Sequence, residues 1–258
     1  MKIYQFLKIL SLVVLMLSSC SSGKDIFYIQ DSEELNEFSY DYSDYLLKSD
    51  DILKIDVKSE EPLLAKIFNP TTANTQLSNN KETLIYEGYI IDSNGYIVFP
   101  QMGKIKVSNL TLNQVRDKIY DYITENKILT NPFVDVKLLN ARFTIIGEVN
   151  RPGRYEFINN NLNLLEAIGI AGDLTINGKR NDISVIRNNG FENKIYKINL
   201  TNSDFLKSDV FQINSGDIII VNPNTSRVKN AGIIGNSGTL LSLLSFLLST
   251  IILTTSTN

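Results

Sequence analysis

The chain of 258 residues contains no histidine, no tryptophan and a single cysteine. Without imidazole there is no Ser-His-Asp triad, no histidine general base and no imidazole metal ligand. One cysteine excludes an intrachain disulfide and a thiolate metal cluster. Neither sign of charge dominates: 25 Lys and Arg stand against 28 Asp and Glu, a net charge of -3. That balance gives no electrostatic footprint for nucleic acid. No glycine-rich loop followed by lysine marks a nucleotide site. Neither a metal nor another cofactor is therefore expected. The remainder is ordinary for a folded protein, with 43% hydrophobic and 21% charged residues, and rules out wholesale disorder.

Charge is also absent locally, at both ends. Lys2 and Lys8 are the only charged side chains in residues 1–19. An apolar run from Ile9 to Leu17 follows, then Ser18, Ser19 and Cys20. A positive start, a short apolar core and small residues before a cleavage point describe a secretory signal peptide over 1–19. The run is too short for a spanning helix, which needs about 20 residues. Leu17-Ser18-Ser19-Cys20 resembles the bacterial lipobox, which implies cleavage before Cys20 and acylation of its thiol and new amino group. One acyl chain holds a protein only marginally, whereas several hold it stably. Residues 20–44 then read as a lipidated tether and an irregular aromatic lead-in.

At the other end no charged side chain follows Lys229. Residues 233–253 are mainly Leu, Ile, Ser, Thr and Gly, and at ~1.5 Å per helical residue they would span ~30 Å, the thickness of a hydrocarbon core. On a helical projection Leu240, Leu241, Leu243, Leu244, Leu247, Leu248, Ile251 and Ile252 share one side. Thr239, Ser242, Ser245 and Ser249 lie on the other, where Phe246 and Leu253 intrude. The segment reads as an amphipathic transmembrane helix with a small hydroxylated second face. That face is either a packing seam between helices or, in a ring of copies, the water-facing wall of a pore.

Between the ends the fold class is α+β, as two small mixed sheet-plus-helix modules over 45–140 and 141–223. Ile52–Val57 alternates as a half-buried strand, and Phe133–Leu139 repeats the pattern. Leu84–Ile91 and Tyr96–Phe99 read as a hairpin around Asp92-Ser93-Asn94-Gly95, closed by Pro100. Thr111 and Gln114 form a capping box for a helix with Leu112, Val115 and Ile119 inward. In the second module Phe143–Val149 and Arg154–Ile158 pair across Asn150-Arg151-Pro152-Gly153, read as a type II turn with Gly153 at positive φ. A helix over Leu162–Ala171 ends at Gly172, and short strands follow at 183–187, 194–200 and 218–221.

These elements carry a family resemblance. Tyr45-Leu46-Leu47-Lys48-Ser49-Asp50-Asp51-Ile52-Leu53-Lys54-Ile55-Asp56-Val57, Gly88-Tyr89-Ile90-Ile91-Asp92, Gly95-Tyr96-Ile97, Pro100-Gln101-Met102-Gly103 and Leu110-Thr111 resemble, in order and spacing, the polysaccharide biosynthesis/export domain. Phe143-Thr144-Ile145-Ile146-Gly147-Glu148-Val149, Pro152-Gly153-Arg154-Tyr155, Leu165-Glu166-Ala167-Ile168, Ala171-Gly172-Asp173-Leu174 and Gly216-Asp217-Ile218-Ile219-Ile220-Val221 resemble the soluble-ligand-binding β-grasp domain. Asp50 departs from the pattern, which usually has glycine there.

The resemblance implies an outer-membrane lipoprotein that exports capsular or extracellular polysaccharide through a homo-oligomeric ring. It further implies an inner-membrane polysaccharide co-polymerase, often with a tyrosine kinase, as partner. No enzymatic activity is expected. Glu60 with Glu61 and Asp50 with Asp51 are sequence neighbours whose side chains point to opposite faces of a strand, so neither pair converges as acid and base. Gly95, Pro100, Gly103, Gly147, Glu148, Pro152, Gly153 and Gly172 are motif positions, the glycines and prolines read as serving backbone geometry. Asp51 and Asp217 each precede an apolar strand and are expected to accept hydrogen bonds from a nearby turn. A lipid-anchored carbohydrate-binding or structural module without a pore is the alternative reading; the absence of tryptophan weighs against it.

Overall fold

Alternating burial builds the first module. Leu53, Ile55 and Val57 of strand β1 (Ile52–Lys58) are buried while Lys54 and Asp56 face outward. In the computed structural model, which describes residues 26–31, 42–69, 88–158, 161–188, 192–224, 238, 241–242, 245–246 and 249–250, β1 lies between two antiparallel partners. These are β2 (Tyr89–Ile90) and β5 (Phe133–Leu138). The register sets Leu53, Ile55 and Val57 opposite Leu138, Val136 and Val134, so the apolar residues of both strands share one face. A one-turn helix, α1 (Pro62–Ala65), follows β1.

Strand β3 (Tyr96–Phe99) pairs with β4 (Gly103–Lys106) rather than with the strand before it. This corrects the hairpin expected from the sequence. The turn at Asp92–Gly95 does form, with Gly95 N–H donating to Asp92 O at 2.9 Å. It leads out of one sheet into another, and Pro100 and Gln101 make the hairpin turn instead. Residues 84–87 lie outside the described residues. Among the described residues both sheets of this module are antiparallel.

Helix α2 (Leu112–Glu125) starts at the expected capping box. Gln114 N–H donates to Thr111 Oγ1 at 3.1 Å and Thr111 N–H to Gln114 Oε1 at 2.9 Å. It buries Val115, Ile119 and Ile123 among Leu47, Phe68, Ile97 and Phe99. Tyr122 pins it to the β3–β4 turn by donating to Gln101 O at 2.8 Å.

The second module is a five-stranded mixed sheet in the order β7-β6-β10-β8-β9. The strands are β6 (Arg142–Gly147), β7 (Gly153–Glu156), β8 (Gly178–Asn188), β9 (Asn193–Ile198) and β10 (Ile218–Pro223). Parallel pairing of β10 with β6 sits among antiparallel neighbours. Helix α3 (Leu164–Ile170), capped by Asn163 and Glu166, covers one face with Leu164, Ala167 and Ile168. Its core includes Phe143, Ile145, Ile183, Val185, Leu200, Phe211 and Ile219. Strand β8, eleven residues long, far exceeds the expected 183–187.

Gly153 corrects a second expectation. It opens β7 opposite Ile145 and does not have positive φ. The chain at 150–151 is instead stitched to the end of α3: Asn150 N–H donates to Asp173 O at 3.0 Å and Arg151 N–H to Ala171 O at 2.9 Å.

The lead-in is attached where sequence order would not put it. Ile29 N–H donates to Leu200 O at 3.0 Å, Gln30 N–H to Thr201 O at 2.8 Å, and Ser203 N–H to Asp31 Oδ2 at 3.0 Å. Tyr28 OH donates to Asp173 Oδ1. Residues 26–31 therefore lie along the second module, although they precede the first module in the sequence.

The signal segment and Cys20 lie outside the described residues. So does much of 233–253, including Thr239; Gly238, Leu241, Ser242, Ser245, Phe246, Ser249 and Thr250 are helical and exposed. Among the described residues no helix is long and apolar enough to cross a membrane.

Candidate functional site: the junction between the modules

Each module enters its first or last sheet strand through the same turn. In the first, Asp51 N–H donates to Lys48 O at 3.3 Å, and Asp51 Oδ2 accepts from Lys48 N–H at 2.9 Å. In the second, Asp217 N–H donates to Asn214 O at 3.1 Å, and Asp217 Oδ2 accepts from Asn214 N–H at 2.8 Å. The residue before the aspartate has positive φ in both, +69° at Asp50 and +91° at Gly216. Both aspartates thus do what the sequence predicts of them. Left-handed backbone is strained for a residue with a Cβ, less so for Asp. Asp50→Gly is expected to stabilise the first module by about 0.5 kcal/mol after glycine's greater unfolded freedom is offset. That corresponds to a rise of about 2–4 °C in a thermal melt.

The two turns meet across the linker. Asn140 Oδ1 accepts from Ile52 N–H at 3.0 Å, and its amide donates to Asp50 O at 2.8 Å. Two residues on, Arg142 O accepts from Gly216 N–H at 2.7 Å. Tyr45 OH donates to Asp51 Oδ2 at 3.0 Å. Burial pushes the Tyr45 phenol well above its ordinary range, and the Asp51 and Asp217 carboxylates add to the rise. Burial likewise raises the Asp51 carboxyl, against the hydrogen bonds from Lys48 and Tyr45.

Arg187 closes the junction from the second module. Its guanidinium grips Asp217 through Nε at 3.0 Å and an Nη at 2.6 Å, and donates to Asp209 O and Gln212 O at 2.7 and 2.6 Å. The pair is almost sealed, with side chains 7% and 1% exposed. Gln212 Oε1 accepts from Ser43 N–H at 3.2 Å, and Lys48 Nζ donates to Asn188 O. Between these groups lies a cleft of about 740 Å³ that draws its lining from both modules. Among the described residues no group of His, Cys, Asp and Glu could hold a metal ion.

The other motif residues fall elsewhere. Gly147, Glu148, Pro152, Gly153 and Gly172 gather at the corner where β6, β7 and the end of α3 meet: Glu148 accepts from Thr175 Oγ1 at 2.7 Å, and Asn150 Nδ2 donates to Gly172 O at 2.8 Å. Gly95 and Pro100 belong to the turns around β3, and Gly103 opens β4. Of the motif positions, the structure brings Asp51 and Asp217 together at the junction. Lys48, Asn140, Arg187 and Gln212, which complete it, were not singled out from the sequence.

Residues 39–139 match the polysaccharide biosynthesis/export protein family model, and residues 141–221 match that of the SLBB domain. The chain belongs to the polysaccharide export family. Asn140, the residue between the two matches, is the one that braces the export domain's turn at the junction. The EPS I polysaccharide export outer membrane protein EpsA of Ralstonia solanacearum is 35% identical over 104 residues, 39% of this chain and 27% of that protein. The protein of the same name from Ralstonia nicotianae is 37% identical over 103 residues, 39% of this chain and 26% of that protein. The chain thus spans about a quarter of the length of the curated relatives it matches.

Proposed function

We propose that this chain is an outer-membrane lipoprotein, anchored at Cys20, whose copies form a ring through which capsular or extracellular polysaccharide leaves the cell. The observation that carries this reading is the export domain followed directly by an SLBB domain in one chain. The outer-membrane export role in the names of the two relatives supports it. So does the path of the chain. Residue 26 follows Cys20 by a stretch that reaches at most ~20 Å, and residues 28–31 are hydrogen-bonded to the SLBB domain. The C-terminal segment, uncharged after Lys229, follows β10 of the same domain in the sequence. Both lipid-directed stretches therefore join the SLBB domain. The export domain is then left toward the periplasm, where an inner-membrane polysaccharide co-polymerase or tyrosine kinase would dock. The cargo is polysaccharide; the role is transport, with no catalytic step and no cofactor.

For the C-terminal helix two readings remain in play, and one observation favours the drier one. Ser245 Oγ donates to Ser242 O at 2.9 Å and Ser249 Oγ to Phe246 O at 2.8 Å. Hydroxyls bonded back to their own helix need no water. Against this, a second anchor beside an acylated Cys20 adds little unless the helix shapes a path for the polymer. Cysteine scanning separates them, because the mature chain's only thiol is blocked by acylation. If the helix lines a pore, Thr239→Cys, Ser242→Cys, Ser245→Cys and Ser249→Cys label with a membrane-impermeant thiol reagent, whereas Leu240→Cys, Leu244→Cys and Ile251→Cys stay silent. A thiol needs water to ionise, and hydrocarbon holds none. Silence on both faces means a packing seam; labelling on both means the segment is outside the bilayer.

A further inference from the structure

We infer that the cleft between the export and SLBB domains is a binding site for a carboxylate-bearing sugar, with the Lys48 ammonium as the group that holds the anion. The inference rests on the export reading and gives the cargo a point of contact. The cleft, about 740 Å³, is lined by polar groups of both domains, among them Ser43, Asn109, Ser208 and Asn214, with Tyr196 contributing an aromatic ring. Its size suits one or a few sugar rings rather than a small ion. Amide and hydroxyl groups beside an aromatic ring match the alternating hydroxyl and C–H surfaces of a pyranose.

Lys48 supplies the charge preference. An ammonium has three N–H donors, and among the described residues one protein acceptor, Asn188 O, takes one of them. The ammonium also lies 5.3 Å from the centre of the Tyr45 ring. Burial, and the neighbouring Arg187 guanidinium, push its pKa below the ordinary lysine value, against the pull of Asp217 and Asp51. A cation held in that way is stabilised by an incoming anion. Arg187 is poorly suited to the role, since four of its five N–H donors serve Asp217 and two carbonyls and its side chain is almost sealed. Lys207 is the other lysine of the lining, so the cleft has two ammonium groups to offer, a number that suits isolated carboxylates. Asp44 and Asp209, also in the lining, disfavour a polyphosphate.

The test is calorimetric titration of the full chain in detergent at low salt with trigalacturonate, with maltotriose as the neutral saccharide and sulfate as the bare anion. Trigalacturonate is expected to bind about tenfold more tightly than either, the worth of one charge-assisted hydrogen bond. Lys48→Gln should remove about that factor, whereas Lys48→Arg, which keeps the charge, should retain most of it. A second readout uses the wild-type chain, so it stands even where a variant fails to fold: trigalacturonate should slow reductive methylation of Lys48 and leave the exposed Lys118 unaffected. Equal binding of trigalacturonate and maltotriose, equal binding of sulfate, or no protection of Lys48 overturns the inference. The export reading is judged separately, by surface polysaccharide in a deletion strain. Lost polysaccharide without trigalacturonate binding overturns the cleft site alone, and binding with normal polysaccharide overturns the export reading.

Discussion

Asp217→Ala is expected to destabilise the SLBB domain by about 3–5 kcal/mol, the cost of stranding one member of a buried ion pair. Arg187 would keep its two carbonyl acceptors, but its charge would lie in the core without a counter-ion. The turn before β10 loses its bond at the same time, because Asn214 N–H donates to the same carboxylate. For a domain of this size the midpoint of a thermal melt should fall by roughly 12 °C or more. The double variant Arg187→Met with Asp217→Ala should cost less than Asp217→Ala alone, since removing both charges removes the uncompensated one. A double variant as unstable as the sum of the singles would mean that the pair contributes no coupling.

Gly147→Ala should be comparably damaging for a different reason. Gly147 has φ +96°, and a Cβ there would lie 2.0 Å from Val221 O, a backbone atom of the neighbouring strand. No rotamer relieves such a contact. Either β10 moves away from β6, breaking the bond from Glu148 N–H to Val221 O at 3.0 Å, or β6 twists. Strain of this kind costs about 3 kcal/mol or more. Gly103 provides the control. It too has positive φ, +70°, yet nothing lies within 4 Å of its would-be Cβ. Gly103→Ala should cost only the left-handed strain, about 1–2 kcal/mol. Denaturant titration of both variants checks the contrast; equal losses would show that the close approach at Val221 is not what Gly147 serves.

The parts of the fold legible in the sequence are those with a local physical signature. Strands β1 and β5 follow from period-two alternation, and α2 from a capping box ahead of an apolar stripe, because neighbours along the chain determine those patterns. Strand β4 was missed because Gly103–Lys106 offers one apolar residue, Ile105, between two lysines, and its pairing with β3 depends on a turn with positive φ at Gln101. Gly153 was misread because a Pro-Gly pair suggests a turn locally, while the contacts of Asn150 and Arg151 with the end of α3 decide the path.

Part of the junction could be read in advance. Asp51 and Asp217 stand before apolar strands, and their turn-capping role was expected. Arg187 carried a signal that went unused: it continues the inward phase of Ile183 and Val185 in β8, and a charge on the buried side of a strand calls for a buried partner. That the partner is Asp217, and that Lys48 and Gln212 complete the junction, depends on the packing of two modules, which no local pattern encodes.

The export role itself is tested most directly by surface polysaccharide on a strain lacking this gene. The account predicts that the deletion strain loses capsular or extracellular polysaccharide from its surface and regains it with the full chain. It also predicts no recovery with a chain truncated after Lys229, although both domains are complete by β10. Normal surface polysaccharide in the deletion strain would contradict the account.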